Sequence, residues 1–180
     1  GYTMSLTDSP DPRKTLYFPQ FDWPRIDNPK IDFPLEKNLD TIIQREQKAI
    51  DQIKDAIMNN PDDIAGLIIE PIQGEGGDNH FRKEFLMELR NLADESEFLL
   101  IFDEVQTGVG VTGHMWAHQA FEGEVKPDII SFGKKTQVCG IFASERLDEV
   151  ENNVFHESSR LNSTWGGSLV DMVRFTIYLE

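Results

Sequence analysis

One cysteine, Cys139, in 180 residues excludes an internal disulfide, and nothing then points to an oxidising compartment. The cytoplasm is the expected location. No apolar run approaches the roughly eighteen residues that cross a bilayer, and no signal-peptide pattern opens the chain, so no membrane partner is expected. Basic charge is also scarce. Seventeen Lys and Arg against 32 Asp and Glu give a net charge of −15 and a pI near 4.6. A nucleic-acid partner wants clustered cations to displace counterions, and here they are scattered, so no nucleic acid is expected either. The chain begins at Gly1 without an initiator Met and reaches Glu180 inside an apolar-periodic stretch that has no C-cap signal. Both ends therefore read as cuts.

Residues 1–35 read as an extended arm, because Pro10, Pro12, Pro19, Pro24, Pro29 and Pro34 deny both helix and central strand. Phe18, Phe21, Trp23 and Phe33 lie among them and are expected to pack onto a larger body. From residue 36 the pattern changes. Leu39, Ile42, Ile43, Ala49, Ile50, Ile53, Ala56 and Ile57 recur at three- and four-residue spacings, the stripe of an amphipathic helix ending before Pro61. The acidic residues between Glu36 and Asp63 read as its solvated face.

Ile64–Ile69, Phe98–Phe102 and Asp128–Phe132 are short apolar runs, as expected of strands buried on both faces. Val138–Ala143 is a weaker fourth. Between the first two lies a helix with Phe85, Leu86, Leu89, Leu92 and Ala93 on its inner face, and a shorter helical pattern spans Met115–Phe121. Strands alternating with helices predict an α/β layer structure with a mostly parallel sheet.

In such sheets functional groups collect at the carboxyl ends of strands. The first three strands end in Glu70-Pro-Ile-Gln-Gly-Glu75, Asp103-Glu-Val-Gln106 and Gly133-Lys134-Lys135, polar sets a purely structural sheet would not require. Asp103 follows an apolar run, at the rim of a low-dielectric core, where an unpaired charge is costly and a cationic partner is expected. Alternation sends Asp103 and Glu104 to opposite sides, so only one can face the site, and the other is open to an ion pair or a helix cap. Gly133 removes bulk where a planar ligand would lie, and a lysine beside it, desolvated, has the character that Schiff-base chemistry needs.

Other readings of these residues fit less well. Leu99-Leu-Ile-Phe-Asp103-Glu104 has the look of a metal-holding NTPase strand, but a phosphate loop ending in Gly133-Lys134 would need glycine at Asp128 and Ser or Thr at Lys135. Gly108-Val-Gly110-Val-Thr-Gly113 formally matches the dinucleotide fingerprint, yet Asp103 to Thr107 intervene after the strand, and Asp128 opens its strand instead of closing it. His114 and His118 have helical metal spacing without an accompanying acid, and no metal site is expected. Cys139, inside Val138-Cys-Gly-Ile141, reads as a small core residue rather than a nucleophile.

Taken together, Glu70-Pro-Ile-Gln-Gly-Glu-Gly-Gly77, Phe102-Asp-Glu-Val-Gln-Thr-Gly108, Ser131-Phe-Gly-Lys-Lys-Thr-Gln-Val-Cys-Gly140 and Ser159-Arg-Leu-Asn-Ser-Thr-Trp-Gly-Gly167 resemble the class III, fold-type I aminotransferases, and within them the lysine 6-aminotransferases. The resemblance runs over nearly the whole chain. It implies a three-layer α/β large domain, incomplete at both ends, with residues 36–180 as its central part and residues 1–35 as an arm.

The resemblance further implies that Lys134 binds pyridoxal 5′-phosphate covalently and carries the proton, while Lys135 is structural. Asp103 pairs with the pyridine nitrogen, supplying the expected cation; Val105 packs on the ring and Gln106 bonds its phenolic oxygen. Ser163 and Thr164 reach the phosphate of the neighbouring subunit, which makes a homodimer. Glu75 masks a substrate-site arginine, and Asn162 lies beside the substrate path. The implied reaction moves the terminal amino group of L-lysine to 2-oxoglutarate. The alternatives are another class III enzyme acting on ornithine or 4-aminobutyrate, or a catalytically silent binding subunit. Isolated residues 1–180 are expected to show little activity, because the phosphate-cradling loop and the substrate arginines lie outside them. The spacer Glu122-Gly-Glu-Val-Lys126 looks slightly longer than the family's.

Overall fold

A computed structural model describes residues 1–9, 11–161 and 163–180, leaving Pro10 and Asn162 outside the description. The chain divides into two compact units, Gly1–Asp62 and Asp63–Glu180.

The first unit holds helix α1 (Tyr2–Leu6), a 3-10 turn at Pro12–Lys14 and the long helix α2 (Leu35–Asn59). Helix α1 was not legible among the arm's prolines. Its Ser5 is buried, its hydroxyl accepting from Phe21 N at 2.7 Å and its carbonyl from Arg25 at 2.6 Å. The rings of Tyr2, Phe21 and Trp23 lie 5.1–5.9 Å apart, so part of the aromatic set packs on itself; Phe18 and Phe33 stay largely exposed. Asp32–Arg45 at 2.6 Å and Asp27–Lys48 at 2.5 Å tie the arm to α2. Both pairs are exposed, so they fix register more than they stabilise. Helix α2 buries Ile42, Glu46, Ala49, Ile50 and Ile53. Ile43, expected on this stripe, is exposed, and the carboxylate of Glu46 takes a place on it.

The second unit is built on strands β1 (Gly66–Ile69), β4 (Leu99–Asp103), β5 (Ile129–Phe132) and β6 (Gly140–Ala143), hydrogen-bonded in that order, with the hairpin β2 (Ile72–Gln73) and β3 (Asn79–His80) beside them in sequence. β1, β4 and β5 are parallel and β6 is antiparallel, the mostly parallel sheet of an α/β fold. Helix α3 (Lys83–Glu95) connects β1 to β4 and packs on β4, burying Phe85, Leu86, Leu89, Leu92 and Ala93, the five expected positions. The shorter pattern at 115–121 is a 3-10 segment, Ala117–Phe121.

The expectation of strands buried on both faces is only half met. Leu100, Phe102, Ile130 and Phe132 are buried, whereas Leu99, Ile101 and Ile129 on the opposite face are half-covered and Ile68 is 40% exposed. Helix α4 (Leu169–Leu179) has no buried residue, although Phe175 stacks on Phe132 at 5.1 Å. No helix among the described residues is long and apolar enough to cross a membrane.

Asp128, at the entrance to β5, is buried and takes Leu100 N at 2.8 Å and Arg90 at 2.9 Å, with Arg146 at 3.4 Å. This carboxylate is spent on the edge of the sheet opposite the three polar strand ends, which removes the acidic partner a dinucleotide reading needs.

Candidate active site

Because β1, β4 and β5 run parallel, their carboxyl ends emerge together. In the register Ile69 stands opposite Phe102 and Asp103 opposite Ser131, so Glu70, Asp103 and Ser131 follow one another across one face. Asp103 is half-buried, and its Oδ1 accepts from Val105 N at 3.0 Å and from Ser131 Oγ at 3.1 Å. Among the described residues no Lys or Arg forms a salt bridge with it, and both hydrogen bonds fall on one oxygen. The cationic partner expected from burial is therefore not a side chain of this unit; two neutral donors hold the carboxylate instead.

Glu104 turns the other way, into the interior, with its side chain fully covered. It accepts from Thr107 Oγ1 at 3.0 Å, Ala117 N at 2.6 Å, His118 N at 3.0 Å and the His118 ring Nδ1 at 2.8 Å. Burial pushes its carboxyl up, but the hydrogen bonds from His118, Ala117 and Thr107 outweigh that and hold it below the usual glutamate range. Of the two acids, Glu104 is the cap, accepting from the first backbone N–H groups of the 117–121 segment. His118 is engaged there, and among the described residues no cluster could hold a metal ion.

Gln106 joins the strand ends. Its Oε1 accepts from Lys134 Nζ, and its carbonyl accepts from Lys135 Nζ at 2.6 Å. Lys134 opens a single 3-10 turn with φ at 51°, a left-handed conformation that costs a non-glycine residue about 1–3 kcal/mol and gathers at functional sites. It is exposed, not sunk into the apolar rim as the sequence suggested. Two glycines allow close approach here: a Cβ on Gly74 would lie 2.5 Å from Gln106 Cγ, and one on Gly133 would lie 3.1 Å from Cys139 Sγ and 3.5 Å from Val105 Cγ1. Cys139 is exposed, which corrects its reading as a core residue; it sits just before the edge strand β6.

Sequence reasoning singled out Glu75 but passed over Glu70. Glu75 is exposed in the turn between β2 and β3. Glu70 is half-buried, and its Oε2 accepts from Gly74 N at 3.3 Å. Burial raises its carboxyl above the usual range; the Gly74 bond pulls it down, the charge of Asp103 pushes it up, that of Lys134 lowers it and that of Glu75 raises it. The signal was present in its place at a strand end. Ser163 and Thr164 are exposed in the segment before α4, and among the described residues no hydrogen bond or ion pair joins them to Lys134, Asp103 or Gln106. Asn162 lies outside the described residues.

A lysine, an amide and a carboxylate with one oxygen taken by neutral donors thus stand at one edge of a mostly parallel sheet. The chain matches the family model Aminotransferase class-III over residues 1–180, and it belongs to that family. It is 54% identical over its whole length to an L-lysine-epsilon aminotransferase of Mycobacterium tuberculosis and spans 39% of that relative. A solved structure of the lysine aminotransferase from M. tuberculosis in the internal aldimine form superposes with a TM-score of 0.91 at 53% identity, covering 99% of this chain and 40% of the other. A 4-aminobutyrate aminotransferase of Schizosaccharomyces pombe is 41% identical over 140 residues, 78% of this chain and 29% of that relative.

Proposed function

We propose that this chain supplies the cofactor-anchoring part of a cytoplasmic, homodimeric L-lysine 6-aminotransferase that uses pyridoxal 5′-phosphate. The observation that carries the reading is the hydrogen bond from Lys134 to Gln106 beside Asp103 at the carboxyl ends of parallel strands, in a chain so similar to lysine aminotransferases.

The residues fit the cofactor. Asp103 has one oxygen occupied by neutral donors, leaving the other to accept from a protonated ring nitrogen. The methyl groups of Val105, beside the missing Cβ of Gly133, form an apolar wall for a flat ring. Gln106 accepts from Lys134 at its Oε1 and keeps its amide N–H to donate to a phenolic oxygen. Bound there, pyridoxal phosphate supplies an electron sink for the C–H bond that breaks next to the transferred nitrogen.

The rest is the chain's own work. Lys134 anchors the cofactor through Nζ and moves a proton at that atom, and Lys135, tied to the Gln106 carbonyl, holds the loop. Asp103 keeps its partner nitrogen protonated. Glu75, exposed at its turn, masks the arginine of the substrate site and swings away when 2-oxoglutarate binds. Ser163 and Thr164 reach the phosphate of the neighbouring subunit. The amino group passes from the terminal carbon of L-lysine to 2-oxoglutarate, leaving the 6-semialdehyde and L-glutamate.

The test is steady-state assay of the full-length protein with L-lysine, L-ornithine and 4-aminobutyrate as donors. Preferred turnover of lysine is expected; absence of lysine turnover overturns the substrate, and ornithine or 4-aminobutyrate turnover in its place identifies the rival. Asp103→Asn is expected to lower kcat by about 10²–10³-fold, as when a preorganised electrostatic partner is removed, while some cofactor stays bound. Unchanged kcat would refute its role at the ring nitrogen.

A further inference from the structure

Glu70 is the one carboxyl of the cluster that the reading above leaves without work. It follows β1 where Asp103 ends β4, so two carboxyl groups stand side by side on one face of the sheet. Two like charges so close cannot both be held without cost, and burial raises that cost for the one with fewer donors. Asp103 has two donors, Val105 N and Ser131 Oγ. Among the described residues Glu70 accepts only from the Gly74 N–H, at 3.3 Å, and burial raises its carboxyl above the usual range.

Its place gives it two levers. The bond to Gly74 closes the 70–77 turn, and Gly74 packs so tightly on Gln106 that a Cβ there would come within 2.5 Å of Gln106 Cγ; Gln106 in turn holds Lys134. The second lever is charge. The ionisable groups that act on Glu70 are Asp103 from β4, Lys134 from the turn after β5 and Glu75 from its own loop, while the ammonium of Lys135 is spent on the Gln106 carbonyl. Lys134 is the only cation among those three.

We propose that Glu70 is a positioning residue of this site, which holds the 70–77 turn against Gln106 and through its charge sets the protonation of the nitrogen carried by Lys134. The proposal rests on the cofactor-anchoring role of Lys134. When that nitrogen is cationic, ionised Glu70 stabilises it; when it is neutral, Glu70 takes up a proton and relieves its repulsion with Asp103. A carboxyl that alternates in this way keeps the local charge nearly constant while Lys134 exchanges protons.

The experiment is a pH titration of the visible absorption band of pyridoxal phosphate bound to the full-length protein, in wild type and in Glu70→Gln. The amide keeps the shape of the side chain and an oxygen for Gly74 but cannot ionise. Loss of an anion disfavours the cationic form, so the midpoint is expected to fall by about half to one pH unit, at the low end of the shifts neighbouring charges produce. The KM for the amino donor should change less than kcat. Glu70→Asp, which keeps the charge one methylene further back, should shift the midpoint the same way by less, and it serves as the reading if the amide does not fold. A Glu70→Gln band that titrates as wild type overturns the proposal and leaves the role of Lys134 standing. A wild-type protein with no such band overturns that role, and the proposal with it.

Discussion

Lys134→Ala in the full-length protein is expected to lower kcat for amine transfer by about 10³-fold or more, since it removes both the nucleophile and the proton carrier in one step. Stability should scarcely change. Lys134 is exposed, it makes no salt bridge among the described residues, and substitutions at such positions stay within about 0.5 kcal/mol. Alanine inherits the positive φ of 51° at no greater cost than lysine had. The neighbouring Lys135 cannot substitute, because its ammonium is committed to the Gln106 carbonyl at 2.6 Å and its backbone belongs to the next step of the 3-10 turn. Two measurements check this: kcat beside a thermal melt, and borohydride reduction of the wild-type protein with pyridoxal phosphate followed by peptide mapping. A pyridoxyl group on Lys135, or a variant retaining a tenth of the activity, would reassign the anchor.

The fold was legible where a period was sustained. The inner face of α3 and the extent of α2 followed from three- and four-residue spacings, and three apolar runs gave three parallel strands. The hairpin of β2 and β3 was not, because two-residue strands carry no period; the turn residues Gly77 (φ 112°) and Asp78 (φ 52°) were its only trace. The half-covered face with Ile68 and Ile101 was equally out of reach. An apolar run states what a strand is built to bury, not what lies over it in the described residues.

At the site, strand polarity alone brought Glu70, Asp103 and Lys134 to one edge. What the residues could not decide was which of Asp103 and Glu104 faced inward. Alternation fixed that they differ, and the choice depended on distant donors, Ala117 and His118, that only the folded chain brings to Glu104. Cys139 was misread for a related reason: its apolar neighbours lie on an edge strand, where the adjacent turn leaves the sulfur exposed.

Glu104→Ala carries the largest expected effect on stability. The carboxylate is fully covered and accepts four hydrogen bonds, so truncation leaves buried donors at Ala117, His118 and Thr107 unpaired. Each buried donor left without an acceptor costs about 1–3 kcal/mol, together a large share of the roughly 5–15 kcal/mol a domain has. Glu104→Gln should cost less at pH 7, since one amide oxygen can still accept while the NH2 meets donors.

The pH dependence has a definite sign. Glu104 is held below its ordinary value of 4.5 in the folded chain, so its contribution is complete above that value and is lost as pH falls through the folded one. The stability gap between wild type and Glu104→Gln in urea melts should therefore be widest at neutral pH and close in acid. A gap that stays constant down to that acid range would mean the carboxylate charge is not what the four donors recognise. Adjacent acids thus part company: Asp103→Asn is expected to spare the melt and lower kcat, and Glu104→Gln to lower the melt first, carrying Asp103 and Gln106 out of alignment only as the 103–107 segment loses its anchor.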